Sequence, residues 1–403
     1  MKDSPSQPQT AAQPPVDFAE AIAPLTTEAF FEQHFEKTHL VIRREDPDYY
    51  TRLLSLPDID RVLTQMLIPA EDIKLVQKGR TFTDDDYIMP SGFADPVRVI
   101  NTFGEGATVV LPGLQKRLPK LQAYCRSLET VFSCDLQTNI YFTPPDAQGF
   151  KTHYDSHDVI VLQIAGSKTW NIYESPLELP LRSQGFEPEG FEAGALIDTF
   201  TLQAGDMCYV PRGVVHDARA TDELSLHITT GLLTPRWIDL IVEAVSQLAL
   251  DDAAFRRAVP PGYANEGFDQ APARQTFKDL LQRAVDGIDA GATLDSFGHE
   301  FRRRRIPVVP GQLMQMFNAE AIGPGTELRR RADLIPLLSL EGDEVVLAVF
   351  GAEIRFPAHV ADSLRDALGR EGFRVGELAG DLDEAGQAVM TRRLVQEGVL
   401  FAV

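Results

Sequence analysis

TNIYFTPPDAQGFKTHYDSHDVIVLQIAGSKTWNIY, residues 138–173, is the stretch from which the fold can be read. Thr138–Thr143 is rich in β-branched and aromatic residues and ends at Pro144-Pro145, which predicts a strand. Asp158–Ala165 predicts a second strand, Gly166-Ser167 a turn, and Thr169–Tyr173 a third strand. Between the first two stand His153 and Asp155, one residue apart. On extended backbone such a pair shares a face, so both side chains can reach one cation.

Downstream, Thr199–Leu202, the turn Ala204-Gly205-Asp206 and Met207–Val210 predict a hairpin, and Leu224–Leu232 a closing strand. In GDMCYVPRGVVHDA, residues 205–218, His216 follows the turn Pro211-Arg212-Gly213, which could aim it inward; it lies sixty-three residues after His153. Short strands with no helices between them suggest a jelly roll or cupin barrel.

Upstream, Phe18–Arg44 predicts a helix capped by Thr26 or Thr27, then a strand at Leu40–Ile42. Pro57–Leu67 and Val109–Thr130 predict helices, and Gly79–Arg98 reads as polar and irregular. Beyond Thr234-Pro235 the composition changes. Trp237, Leu240, Ile241, Ala244, Val245 and Leu248 fall on one helical face, as do Phe277, Leu280, Leu281, Ala284, Val285 and Ile288. Wide apolar stripes of this kind pack on themselves or on a second copy. After the basic run Arg302–Arg305, a hairpin around Gly351, helices at Ala358–Glu371 and Glu384–Glu397, and a strand at Gly398–Val403 suggest a winged-helix-like unit. Asp381, Asp383 and Glu384 at its candidate recognition helix argue against DNA binding. The boundaries expected are a disordered Pro/Gln/Ser-rich leader at 1–16, a barrel with N-terminal helices at 17–233, a helical region at 234–300 and the winged unit at 301–403. The fold class is α+β.

The chain has 403 residues and a formal net charge of −21. Such an acidic surface aids solubility, repels phosphate backbones and attracts basic partners. No apolar run suits a membrane span and no signal pattern opens the sequence. Three cysteines, Cys125, Cys134 and Cys208, form no CxxC pair, which suits a cytoplasmic setting and argues against structural zinc. Cys208 reads as a core thiol.

Two histidines and one carboxylate, His153, Asp155 and His216, make a facial set suited to Fe(II), with open positions for a chelating keto acid and O2; zinc is the alternative ion. The distal carboxylate of such a co-substrate needs a cation, and Lys168, beside apolar Trp170 and Ile172, can supply it; otherwise Lys168 is a hydrated turn residue. Asn139, Tyr141 and Thr229 could add hydrogen bonds, or be ordinary strand residues. His227 reads as a core histidine and His157 as facing the entrance or solvent. His34, His39, His299 and His359 have no evident partners.

Asn139-Ile-Tyr-Phe-Thr-Pro-Pro, Gln148-Gly-Phe, His153-Tyr-Asp155, Leu162-Gln-Ile-Ala-Gly-Ser-Lys168-Thr-Trp170 and Pro211-Arg-Gly-Val-Val-His216 resemble the ribosomal oxygenases, JmjC-type protein hydroxylases dependent on Fe(II) and 2-oxoglutarate. The resemblance is specific over Asn139–Thr229 and looser outside it. It implies a double-stranded β-helix core, a helical dimerisation region and a C-terminal winged helix. It also implies iron on His153, Asp155 and His216, and the 2-oxoglutarate carboxylate on Lys168 with Asn139, Tyr141 and Thr229 as supports. The substrate it implies is an Arg or His side chain of a basic ribosomal protein. The alternatives are an N-methyl demethylase, a peptide hydroxylase, or a non-catalytic metal-binding cupin.

Overall fold

The structure, a computed structural model, describes residues 16–403. The leader expected at 1–16 lies outside the described residues except for Val16, which is buried. The chain divides between Thr234 and Pro235 into two units.

The first unit is built on an antiparallel eight-stranded sheet. Its strands are β1 (Leu40–Ile42), β2 (Lys74–Val76), β3 (Thr108–Pro112), β4 (Asp135–Thr143), β5 (Asp158–Tyr173), β6 (Leu196–Leu202), β7 (Met207–Val210) and β8 (Val215–Leu233). The order is β1-β7-β5-β8-β4-β3-β2, with β6 pairing the second half of β5. The first half of β5 is buried on both faces, as its nearly unbroken apolar run requires. Ile160, Leu162 and Ile164 pack against the N-terminal helices. Val159 and Val161 point the other way, into an interior cluster with Trp170, Ile172, Phe200, Leu202, Cys208 and Val210. The site faces this interior.

Gly166-Ser167 is a bulge inside one long strand, not a turn, so the expected second and third strands are one. Gly166 has φ 60°, and a Cβ there would stand 1.7 Å from the Leu224 carbonyl oxygen on β8. The glycine lets the sheet bend while both strands stay paired. The expected hairpin is also absent: β6 and β7 both pair with β5, on different halves, and not with each other. β8 begins at Val215, so His216 sits on a strand rather than beyond a hairpin end.

Helices cover the outer face. Thr26 caps Thr27–Gln33 and Asp17 caps Phe18–Ile22 through side-chain oxygens. Phe18 and Phe30 meet edge to face at 5.3 Å, and Phe30 meets Tyr209 of β7 at 4.9 Å. The helix expected over Val109–Thr130 is in fact β3, a short 3-10 turn and the helix Pro119–Phe132. Val109 and Leu111 alternate with the pleat against β4, and strand pairing overrides their helical spacing. The segment read as irregular, Gly79–Arg98, holds the short helix Asp84–Tyr87 and the start of the helix Pro96–Gly104, which Asp95 caps. His39, expected to stand without a partner, lies 2.9 Å from Asp198 on β6.

A buried ion pair ties the turn before His216 to the start of β5. Arg212 Nη1 donates to Asp158 Oδ2 at 2.9 Å and also to Glu36, and Tyr209 Oη donates to Asp158 Oδ1 at 2.7 Å. Asp158 is wholly buried. Asp158→Ala would leave the guanidinium with Glu36 alone and the Tyr209 hydroxyl without its acceptor, and we expect a loss of about 3 kcal/mol in urea unfolding.

The second unit carries helices Trp237–Asp251, Ala271–Gly287 and Ala290–Arg304. The last runs past residue 300, where the sequence suggested a boundary. Their apolar side chains are mostly exposed, among them Trp237 (76%), Phe277 (63%) and Val285 (75%). Beyond them lie the sheet Leu337–Glu341, Glu344–Val349, Ala352–Pro357, and a smaller one of Gly372–Arg374, Glu327–Arg330 and Leu400–Ala402. These pack with helices Ala361–Gly369 and Glu384–Gln396 on one core. No helix among the described residues is long and apolar enough to cross a membrane.

Candidate metal centre

His153 lies outside regular strand, yet its backbone is fixed. His153 N–H donates to the His216 carbonyl at 3.0 Å, and His216 N–H donates back at 2.8 Å. This reciprocal bridge sets the two rings 4.7 Å apart on the interior side. The Asp155 carbonyl accepts from Gly213 N–H at 2.9 Å, which holds the His-x-Asp segment against the turn that leads to His216. His153, Asp155 and His216 each offer a ligand atom, and all three atoms lie within 4.8 Å of one another. His216 Nε2 is 3.8 Å from Asp155 Oδ2.

The ring tautomers suit a metal. His153 Nδ1 is 2.8 Å from the Lys151 carbonyl oxygen, and His216 Nδ1 is 3.0 Å from that of Val214. A carbonyl only accepts, so each Nδ1 carries the proton and each Nε2 keeps a lone pair. Burial, with His153 next in order, lowers the pKa of His216, which favours the neutral imidazole that ligates. Two imidazoles and one carboxylate fit Fe(II) and leave half of an octahedral shell to other donors.

Lys168 stands just past the Gly166 bulge and is 5% exposed. It shares an interior face with Trp170 and Ile172, and Ile172 lies opposite His216. Four residues separate the levels of Lys168 and His216, about 13 Å of strand. Nζ is 5.9 Å from the Tyr141 ring centroid. Burial alone pulls its pKa from the usual lysine range down to about 7. Among the described residues no carboxylate offsets that cost. The turn-lysine alternative is thus set aside by its position within a strand.

Asn139 lies opposite Thr229, and Tyr141 opposite His227, on β4 and β8. Thr229 also pairs with Val161, whose side chain belongs to the interior cluster. Asn139, Tyr141 and Thr229 are half-buried along the same wall as the triad and Lys168. His227 is buried, stacks on Tyr141 at 4.9 Å and has a pKa held well below the ordinary histidine value by burial and then by Lys168. His157 does not face solvent freely: its ring rests on Gly231, where a Cβ would come within 2.5 Å of Cδ2. Cys208 is buried and its thiol is raised far above the ordinary range, so it is no nucleophile.

Aromatic rings lie close to His153, and of these only Phe150, in Gln148-Gly-Phe, stood in a stretch the sequence singled out. Phe150, 43% exposed, is 5.9 Å from His153. Phe186 is 6.0 Å from His153 and 5.4 Å from Tyr154, and Phe191 is 4.8 Å from Phe186. Both phenylalanines come from the non-periodic segment between β5 and β6, where spacing carries no information.

Residues 114–240 match the family described as JmjC domain. The chain is 31% identical over 305 residues to the bifunctional lysine-specific demethylase and histidyl-hydroxylase NO66 of Aedes aegypti, covering 71% of this chain and 47% of that protein. Its Dictyostelium discoideum counterpart is 34% identical over 256 residues, covering 60% and 48%. The chain thus spans about half the length of these curated relatives, and 34% of that from Drosophila mojavensis. The crystal structure of the Escherichia coli ribosomal oxygenase YcfD overlays with a TM-score of 0.53 at 19% identity, over 94% of this chain and 98% of that one. This establishes a shared fold.

Proposed function

This chain is a JmjC-domain protein, and from that premise we propose that it is an Fe(II)- and 2-oxoglutarate-dependent oxygenase that hydroxylates an Arg or His side chain of a ribosomal protein. The observation that carries this reading is the pairing of a facial triad with a buried, uncompensated lysine in one interior. Its balance is 2-oxoglutarate, O2 and a C–H bond giving succinate, CO2 and C–OH. A ferrous ion held by His153, Asp155 and His216 would supply the oxidative chemistry. Lys168 would take the distal carboxylate of the keto acid, with Tyr141, Asn139 and Thr229 beside it. Val159, Val161, Trp170 and Ile172 keep the interior apolar and exclude water.

The mouth supports a basic target. Phe150, Tyr154 and Phe186 offer ring faces to a planar imidazole or guanidinium. Residues 174–195 carry five glutamates against one arginine, next to those rings. The relatives are named for lysine demethylation as well as for histidyl hydroxylation. Products separate the two: a single added oxygen on an intact target, or formaldehyde with loss of a methyl. The test is mass spectrometry of ribosomal proteins from cells with and without the gene, with succinate release measured on the purified enzyme. Absence of any O2-dependent succinate would leave a metal-binding cupin.

Lys168 gives the reaction a pH signature. Only the ammonium form attracts a carboxylate, and the free enzyme loses that form as pH rises through about 7. We expect kcat/KM for 2-oxoglutarate to fall about tenfold per pH unit above that value. A profile flat to pH 9 would separate Lys168 from the co-substrate.

A homodimer through the second unit is part of the same proposal. Phe277, Leu281 and Val285 line one face of Ala271–Gly287 and are all more than half exposed (63%, 51% and 75%). Phe277→Asp with Val285→Asp should halve the mass seen by light scattering. A cytoplasmic location accords with three buried free thiols.

A further inference from the structure

Asp217 follows His216 on β8 but faces the opposite side of the sheet, as alternation requires. It is 9% exposed, and three side chains donate to it. Thr152 Oγ1 reaches Oδ2 at 2.7 Å, Tyr173 Oη reaches Oδ2 at 2.8 Å, and Asn171 Nδ2 reaches Oδ1 at 2.9 Å. Asn171 is itself fixed, its Oδ1 accepting from Thr199 Oγ1 at 2.9 Å.

The placement is specific. The bridge pairs His153 with His216 in antiparallel register, so Thr152 stands opposite Asp217 one step on. On the other side of β8, Asn171 is the direct partner of Asp217 on β5. One carboxylate therefore spans three adjacent segments, and one of them is the non-strand loop that carries two members of the triad. Thr152 also lies between Lys151, whose carbonyl fixes the His153 tautomer, and His153 itself. Whatever holds Thr152 holds the ring.

We propose that Asp217 is a positioning residue for the metal centre: through Thr152 it fixes His153 from the outer face of the sheet. The proposal rests on the reading of His153, Asp155 and His216 as ligands. It does not touch the reacting atoms, so its effect is read in metal affinity.

Tyr173 supplies the internal control. Tyr173→Phe removes a hydroxyl from the same oxygen, Oδ2, but on a strand that bears no ligand. Thr152→Val removes the hydroxyl that reaches the ligand loop, and Thr152→Ser restores it. The experiment titrates Co(II) alone into each full-length, metal-free protein by calorimetry, with thermal unfolding alongside. Thr152→Val and Asp217→Asn should weaken Co(II) binding about 10–100-fold, the range seen when the groups behind metal ligands are removed. Thr152→Ser should bind as wild type, and Tyr173→Phe should lose stability without losing affinity. Equal Co(II) affinity in Thr152→Val and wild type overturns the proposal, as does an equal loss in Tyr173→Phe. Failure of the wild type itself to bind one Co(II) overturns the metal reading beneath it, and this one with it.

Discussion

Asp155→Ala abolishes succinate formation, by about a thousandfold or more, while the protein stays folded. The chemistry of the proposed oxygenase resides in the metal, and a facial site with two imidazoles alone neither neutralises nor retains a ferrous ion as the triad does. The fold does not depend on this carboxylate. Its side chain is 30% exposed, and among the described residues its polar partner is His216 at 3.8 Å. The hydrogen bond that anchors residue 155 uses the backbone carbonyl, which alanine keeps. The stability change should stay within about 0.5 kcal/mol. His216→Ala is a poorer test. That ring is 5% exposed and lies 5.8 Å from Trp170, so its loss also opens a cavity. The measurement pairs succinate release with Co(II) titration and thermal unfolding. An Asp155→Ala protein that turns over 2-oxoglutarate at the wild-type rate would remove the carboxylate from the site.

The clustering of His153, Asp155 and His216 was legible from residue type and from the Pro-Arg-Gly turn before His216, but not from strand periodicity: His153 and Asp155 lie outside regular strand, and the bridge to His216 places them. The strand character of β4, β5 and β8 was also legible, since β-branched and aromatic residues crowd there. Connectivity was not. Gly166-Ser167 has the composition of a turn, and only its partner strand, with the Leu224 carbonyl against Gly166, makes it a bulge. Val109–Leu111 has apolar spacing that suits a helix as well as a buried strand, and the pairing with β4 decides. The role of Asp217 was hidden for a like reason. Its partners lie sixty-five, forty-six and forty-four residues away, and no local pattern announces them. The exposed stripes on Trp237–Asp251 and Ala271–Gly287 were visible as stripes, but periodicity does not say what covers them.

Lys168→Met should stabilise the ligand-free protein and disable it as an enzyme. The lysine is 5% exposed, and burial lowers its pKa from 10.5 to about 7. A base whose folded pKa lies below its unfolded one costs stability wherever the unfolded chain binds the extra proton. That cost is full at and below pH 7 and fades as pH climbs from about 7 to 10.5. At about 1.4 kcal/mol per unit, it is on the order of 4–5 kcal/mol at neutral pH. Methionine fills similar space without the charge. The variant should therefore melt on the order of 10 °C higher at pH 7, with the gap closing toward pH 10. Added 2-oxoglutarate should reverse the order. In the wild type the distal carboxylate would pair with the ammonium group and raise the melting temperature, whereas the variant should gain little. Loss of that pair should weaken 2-oxoglutarate binding by about 2–5 kcal/mol. The two halves are coupled: the same uncompensated charge that burdens the empty interior is what would draw the co-substrate in. A Lys168→Met protein that is less stable than wild type at pH 7, or that keeps the wild-type KM for 2-oxoglutarate, would show that the lysine is already paired or serves another purpose.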